Sequence, residues 1–232
     1  MPAAETLQEA PPAWRAALGQ RVGRVVLPTA YRLVVRGRDS VPAQGPLVLV
    51  ANHSGLLDGP LVMAVAPRPV TFLVKQEMFH GAAGSVLRGV GQISIDRTRG
   101  DRHALDAARA VLARGGVVGV FPEGTRGAGD VQQVNQGATW LALQAGARVV
   151  PVCVLGTRVP GRSADALPRV RARVVADFGE PFDLAVDPAL PGRARLVAAT
   201  DLLRDQLAGH VTRAGVREAA LRTGPHGSER AG

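Results

Sequence analysis

The chain has one cysteine, few aromatic residues, a single lysine and no long apolar run. Aromatic residues make up only 3% of its 232 residues, and Cys153 is its only cysteine. A lone cysteine excludes an intrachain disulfide and favours a reducing compartment, and its place in an apolar run predicts a core thiol. The longest apolar stretches fall far short of the roughly 20 residues that a spanning helix needs, so we expect no transmembrane segment.

The charge balance narrows the classes of partner. The formal net charge of +9 predicts attraction to polyanions such as nucleic acid, an anionic membrane face or phosphorylated small molecules. Nucleic acid is not expected, because few aromatic side chains are available for stacking and no zinc-finger or RNP pattern is present. The first residues show no basic leader followed by an apolar stretch, so we expect no secretory signal and a cytoplasmic location.

Apolar periodicity predicts alternating strands and helices in one domain with a disordered tail at 222–232. The predicted strands are 47–51, 70–74, 93–95, 117–121, 149–155 and, with the alternation of an edge strand, 170–178. The predicted helices are 58–66, 85–90, 101–114 with Asp101 as its cap, 137–145 and 193–208. This alternation is typical of an α/β fold in which a mostly parallel mixed sheet is flanked by helices.

A further helix, from Trp14 to about Val35, is predicted to be amphipathic and basic, with Pro28 kinking or ending it. Two interpretations have equal weight. The helix packs on the domain, or it lies on anionic lipid, where apolar burial and arginine attraction act together. Both can hold in turn.

Ligands of open α/β sheets collect beyond the strand ends, and the loop after the strand at 47–51 carries His53 and Asp58. A carboxylate bonded to one imidazole nitrogen would fix the tautomer and leave the other nitrogen free to take a proton, as a general base does. The alternative is that Asp58 is only a helix N-cap and His53 a loop histidine satisfied by backbone.

Two later loops carry further polar residues at strand ends. GQISIDRTRGD, at 91–101, places Arg97 where a guanidinium can form forked bonds to a phosphate, although most such clusters are solvated turns. FPEGTRG, at 121–127, places Glu123 and Arg126 on a glycine-bearing turn, which by itself indicates no more than a loop with a salt bridge.

Together these loops resemble the glycerolipid acyltransferase family, which includes 1-acylglycerol-3-phosphate acyltransferase. The resemblance covers about residues 33–182 and rests on four motifs in the family's order. They are NHxxxxD at Asn52, His53 and Asp58; GQISIDR at 91–97; FPEGTR at 121–126; and the V-P-V strand at Val150, Pro151 and Val152. One departure is VNQGA at 134–138, where the family often shows F-K-x-G-A, so a cation is missing at Asn135.

The resemblance implies a glycerol-3-phosphate acyltransferase-like fold and transfer of a fatty acyl group from acyl-CoA or acyl carrier protein to the hydroxyl of a lysophospholipid, above all 1-acylglycerol-3-phosphate. It implies no metal and no bound organic cofactor. His53 would be the base and Asp58 its orienting acid. The residues expected to bind substrate are Lys75, Arg97, Glu123, Gly124, Thr125 and Arg126.

The expected organisation is an amphipathic helical region at 1–32, an acyltransferase domain at 33–210, and a helix end with the disordered tail at 211–232. The expected location is peripheral, on the inner face of the cell membrane.

Two rival functions stay open. One is a lipid- or phosphate-binding module without catalysis, which would need neither His53 nor Asp58. The other is a hydrolase of the same thioester or of phosphate esters.

Overall fold

The structure is a computed structural model that describes residues 9–97, 100–124, 129, 131 and 134–223. Its strands are β1 (Arg32–Arg36), β2 (Leu47–Ala51), β3 (Val70–Lys75), β4 (Ile93–Ile95), β5 (Val117–Val120), β6 (Arg148–Leu155) and β7 (Arg173–Phe178). Its helices are α1 (Ala13–Ala30), α2 (Asp58–Val65), α3 (Gly81–Gly89), α4 (Arg102–Ala113), α5 (Gln136–Ala145) and α6 (Gly192–Thr223). The Asp101 side chain accepts a hydrogen bond from Ala104 N, as predicted for the cap of α4.

The strands form one sheet in the order β1-β7-β6-β2-β5-β3-β4. The five strands from β6 to β4 run parallel to one another, whereas β7 is antiparallel to β6 and parallel to β1. The prediction of a mostly parallel mixed sheet flanked by helices is confirmed. Because the five parallel strands share a direction, the loops after β2, β4, β5 and β6 all leave from the same edge of the sheet.

The central strand β2 has no exposed residue and supplies both cores. Leu47 and Leu49 belong to the cluster that also contains residues of α2, and Val48 and Val50 belong to the cluster formed with α4, α5 and α6. Successive side chains of a strand point to opposite faces, so a continuous apolar run is what a strand covered on both faces requires.

The N-terminal helix is shorter than predicted and is followed by a strand that the sequence analysis did not assign. α1 ends at Ala30, and Arg32–Arg36 pairs in parallel with β7. Pro28 lies inside α1. Two residues beyond it the helix stops, because Tyr31 adopts an extended conformation. The predicted helix to about Val35 is therefore wrong in its last turn.

Helix α1 packs on the C-terminal end of α2. A side chain at Gly23 would lie 2.8 Å from the Ala64 Cβ, so the glycine permits close approach of the two helices. Gln20 Nε2 donates to Ala66 O (2.8 Å), and Arg24 donates to the same oxygen (3.1 Å) and to Ala64 O (3.2 Å). These bonds satisfy carbonyls that a helix end leaves free. The predicted packing of this helix on the domain is confirmed.

The C-terminal elements differ from prediction in two ways. β7 is not an edge strand, because β1 pairs with its outer side, and five of its six residues are buried. α6 does not end near Ala208 but continues to Thr223, so 211–223 are helical and the predicted disordered segment loses its first two residues. Residues 224–232 lie outside the described residues.

A buried group of charges fastens the second half of α6 to β1 and β7. Glu218, whose side chain is 5% exposed, accepts hydrogen bonds from Arg36 (2.7 Å), Arg173 (2.8 Å) and Arg222 (3.2 Å). The hydrogen bond from Arg173 is the largest cause that lowers the pKa of Glu218 to about 2, against the opposing effect of burial. The bonds of this Glu218 cluster stabilise the part of α6 that continues beyond the apolar core.

Two features are absent from the described residues. None of the helices there is both long and apolar enough to cross a bilayer. No group of three or more histidine, cysteine, aspartate or glutamate side chains within those ranges is arranged to hold a metal ion.

Candidate active site

Asp58 is fully buried at the start of α2 and is turned back toward the loop that follows β2. Its Oδ2 lies 2.9 Å from His53 Nδ1 and accepts hydrogen bonds from the backbone N–H of Ser54 (2.7 Å) and Gly55 (2.8 Å). The N-cap position belongs to Leu57, and the helix has no side-chain cap. The alternative that Asp58 is only an N-cap is therefore wrong, and the five-residue spacing brings the carboxylate to the imidazole.

The contacts of Asp58 indicate the tautomer of the His53 ring. With a carboxylate that accepts three hydrogen bonds at one oxygen, Nδ1 of His53 carries the hydrogen and donates it. In the neutral ring, this tautomer leaves the lone pair on Nε2. The His53 side chain is 15% exposed whereas that of Asp58 is 0% exposed, so a ligand can reach the ring but not the acid.

A column of aromatic rings supports His53 from one side. The imidazole stacks on Phe121 with centroids 4.1 Å apart, and Phe121 stacks on Phe72 at 5.3 Å. Gly119 leaves the room for this column, because a side chain there would lie 2.4 Å from the Phe72 ring. Sequence reasoning missed this role. The available signal was a phenylalanine opening the FPEG motif in a chain with only five phenylalanines.

Backbone contacts fix the position from which His53 leaves the sheet. The side-chain amide of Asn52 donates to Val154 O (3.1 Å) and accepts from Val154 N (2.7 Å). It therefore links β2 to β6 just beyond their last paired residues. The His53 N–H donates to Glu123 Oε1 (2.9 Å). Glu123 thus ties the turn after β5 to the loop after β2, and the motif residues Asn52 and Glu123 position the histidine.

The turn after β5 approaches the loop after β4 at Gly124. Gly124 has a φ of +73°, and a side chain there would lie 2.5 Å from Asn135 Nδ2 and 3.7 Å from Arg97 Nη1. Glycine is required by both the conformation and the contact. The structure therefore brings the exposed Arg97 guanidinium beside the turn that holds His53, on the β5 side of the pair.

Of the other predicted substrate residues, Lys75 lies apart from this group. Lys75 ends β3, two strands from β2, which corresponds to about 10 Å across the sheet. No hydrogen bond or ion pair of Lys75 with another described residue is present. Thr125 and Arg126 lie outside the described residues. The substrate-binding roles of these three remain predictions.

Neither Cys153 nor Ser54 is placed to act as a nucleophile. Cys153 is buried beneath α6, and burial raises the pKa of its thiol to about 12, so the reactive thiolate is not populated at neutral pH. Ser54 is buried, and its hydroxyl lies 3.3 Å from Thr157 Oγ1. The arrangement supports proton removal from a ligand by His53 rather than attack by a side chain.

The chain is similar to proteins named 1-acyl-sn-glycerol-3-phosphate acyltransferase. The chain is 27% identical over 186 residues to a 1-acyl-sn-glycerol-3-phosphate acyltransferase of Bacillus subtilis, covering 79% of this chain and 90% of that one. It is 37% identical over 126 residues to the human 1-acyl-sn-glycerol-3-phosphate acyltransferase alpha, covering 52% of this chain and 44% of the human protein. The chain thus spans less than half of that longer relative.

The fold and a family profile agree with these relatives. The crystal structure of the 1-acyl-sn-glycerophosphate acyltransferase PlsC from Thermotoga maritima superposes with a TM-score of 0.61 at 24% identity, covering 90% of this chain and 79% of that chain. This likeness concerns the fold. The profile of the family described as Acyltransferase matches residues 32–155, a range that contains β1 to β6 and the His53–Asp58 pair. The chain therefore belongs to the acyltransferase family.

Proposed function

We propose that this acyltransferase moves a fatty acyl group from an acyl thioester to the free hydroxyl of 1-acylglycerol-3-phosphate and so makes phosphatidic acid. The observation that carries the proposal is the His53–Asp58 pair, with Nε2 free and reachable, at the ligand-binding edge of this family's sheet. The identity of the proposed acceptor is taken from the names of the relatives from Bacillus subtilis and human.

In the proposed reaction, His53 Nε2 takes the proton of the acceptor hydroxyl while the oxygen attacks the thioester carbonyl. Asp58 holds the ring through Nδ1 and stabilises the imidazolium that forms. The tetrahedral oxyanion then collapses, the C–S bond breaks, and the departing thiolate recovers the proton from Nε2. All atoms of the products come from the two substrates, so the reaction balances without a covalent enzyme intermediate. The proposed steps use no metal and no bound organic cofactor.

The acceptor phosphate is assigned to the cations on the β5 side of the pair. Arg97 lies beside Gly124, and Glu123 of the same turn holds the His53 backbone, so a phosphate on Arg97 would be tied to the position of the base. A guanidinium suits this role because its forked donors match phosphate oxygens. Arg126 and Lys75 are proposed as the remaining cations, with acyl-CoA and acyl carrier protein both retained as donors.

Product analysis tests this function. Incubation of the protein with 1-acylglycerol-3-phosphate and acyl-CoA is expected to release one free thiol for each phosphatidic acid formed, measured by a thiol reagent and by mass spectrometry. A panel of other lyso-lipids serves as the control for the acceptor. Free fatty acid without acylated product would support the thioester hydrolase instead, and binding of the lipid without any turnover would support the non-catalytic module.

Helix α1 is proposed as the contact with the membrane. Its face opposite α2 carries five apolar side chains that are between 43% and 71% exposed, and we call these the apolar stripe: Trp14, Leu18, Val22, Val25 and Val26. Exposed Arg21 lies on the same helix, and the chain carries a formal charge of +9. Apolar burial and attraction to anionic lipid act in the same direction here. We therefore propose a cytoplasmic enzyme held on the inner face of the cell membrane.

Substitution of Val25 tests the membrane contact. Val25→Asp should weaken binding to phosphatidylglycerol-containing vesicles about tenfold or more, because an apolar contact is lost and an acid meets an anionic surface. Val216→Asp on α6 is the matched control, since these helical valines are 71% and 67% exposed. Co-sedimentation with vesicles gives the comparison. Equal loss of binding in both variants would mean that the apolar stripe is not the contact.

A further inference from the structure

The loop after β6 packs directly on the loop that carries His53. Thr157 is fully buried with its hydroxyl 3.3 Å from Ser54 Oγ. A side chain at Gly55 would lie 2.8 Å from Thr157 O, so the two backbones are in close contact. The residue that follows Thr157 is therefore held at a fixed place beside the His53–Asp58 pair.

That residue is Arg158, and its charge is not neutralised by a described neighbour. Arg158 is exposed, and its Nη1 donates to Ser54 O over 3.4 Å. Within the described residues it makes no other side-chain hydrogen bond and has no carboxylate within 4 Å. A guanidinium has five N–H donors in a planar fork, so most donors of Arg158 remain available to a ligand. The Ser54 carbonyl that Arg158 contacts belongs to the residue next to the proposed base.

The position of Arg158 distinguishes it from the cations that the family motifs predict. β2 lies between β6 and β5 in the sheet, so Arg158 approaches the pair from the β6 side and Arg97 from the β5 side. The proposed reaction has two phosphate-bearing substrates, the lysophospholipid acceptor and the donor with its phosphopantetheine arm. With the acceptor phosphate assigned to the β5 side, the β6 side of the pair offers a separate place for the donor.

We propose that Arg158 binds the phosphate of the acyl donor's phosphopantetheine arm, and so forms a second phosphate-binding site on the side of His53 opposite Arg97. This inference rests on the proposed function and adds the placement of the two substrates. Acyl-CoA and acyl carrier protein share this phosphate chemistry, so Arg158 serves either donor.

Steady-state kinetics on the full chain test the assignment. Arg158→Ala should raise the KM for acyl-CoA about 10- to 100-fold, the usual effect of losing a charge-assisted hydrogen bond to phosphate, and leave the KM for 1-acylglycerol-3-phosphate unchanged. With acyl-pantetheine, which lacks the phosphate, wild type and Arg158→Ala should have equal kcat/KM. Arg158→Lys should restore part of the affinity. Arg162→Ala, an exposed arginine of the same loop, is the control for loss of one charge.

Two results would overturn the assignment. One is a defect of Arg158→Ala that persists with acyl-pantetheine, and the other is a rise in the KM for the acceptor, which would place Arg158 in the acceptor site. Calorimetric titration with CoA separates this inference from the proposed function. Tighter CoA binding by wild type than by Arg158→Ala would support the donor site even if no phosphatidic acid were formed, and equal binding would contradict it.

Discussion

Replacing His53 with alanine is expected to lower the rate of acyl transfer about 10³-fold, within the range that a positioned general base contributes. The acceptor hydroxyl would then have to lose its proton to water while it attacks the thioester. The KM values should change little, because the ring, only 15% exposed, is assigned to proton transfer and the phosphates to the arginines. Thiol release from acyl-CoA, followed with and without 1-acylglycerol-3-phosphate, gives both parameters.

The control for this variant has to separate catalysis from folding. His103→Ala removes another histidine, on helix α4, and should keep the wild-type rate. Thermal unfolding should show that His53→Ala remains folded, since the buried bonds from Ser54 and Gly55 to Asp58 do not involve the ring. Full activity of His53→Ala would remove the base from the mechanism, and the family membership would then have to be reconciled with another acid–base group.

Much of the sheet could be predicted because its strands are buried on both faces. A run such as Leu47–Ala51 has no polar residue, and only a covered parallel strand accommodates it in this kind of fold. Asp101 gave the start of α4 through its side chain, and the two glycines after Arg114 gave its end. The apolar pattern and the caps agree at these places, so the local signal and the fold coincide.

The sequence did not predict the far side of the sheet, where long-range pairing decides the structure. β1 reads RLVVR, and two of its five residues are exposed, so its pattern did not separate it from the end of the preceding helix. β7 is an inner strand because β1 pairs with it, and no feature of the β7 sequence indicates that pairing. The length of α6 likewise depends on Glu218 meeting Arg36 and Arg173 from distant segments.

The candidate site also contains features that the sequence could predict and features that it could not. The spacing of His53 and Asp58 could be predicted to form a pair, because a strand end, a tight loop and a helix start leave little freedom. The stack on Phe121 and the approach of Arg158 could not, because each depends on how a loop from another strand packs. Thr157, a small residue buried without any motif of its own, is what brings Arg158 to the site.

The Glu218 cluster carries the second large prediction, because it ties three segments together with one buried carboxylate. Its arginines come from β1, β7 and α6, and removing the acid would leave Arg36, Arg173 and Arg222 facing one another. Breaking a buried ion pair from one side costs more than the pair contributes, because the remaining charges stay poorly solvated. Arg173 and Arg222 are about half exposed, at 42% and 56%, so solvent reduces this cost.

Glu218→Gln is accordingly expected to lower the free energy of unfolding by about 2–3 kcal/mol at pH 7. The folded-state pKa of Glu218, about 2, lies below the ordinary value of 4.5, so its contribution is complete above pH 4.5 and is lost as the pH falls toward 2. Urea unfolding at pH 7, 5 and 3 should therefore show the difference between wild type and variant shrinking only at the lowest pH. Asp205→Asn, which removes an exposed partner of Arg204 on the same helix, should leave stability almost unchanged. If Glu218→Gln behaved like Asp205→Asn at every pH, the buried cluster would not be what holds the end of α6 to the sheet.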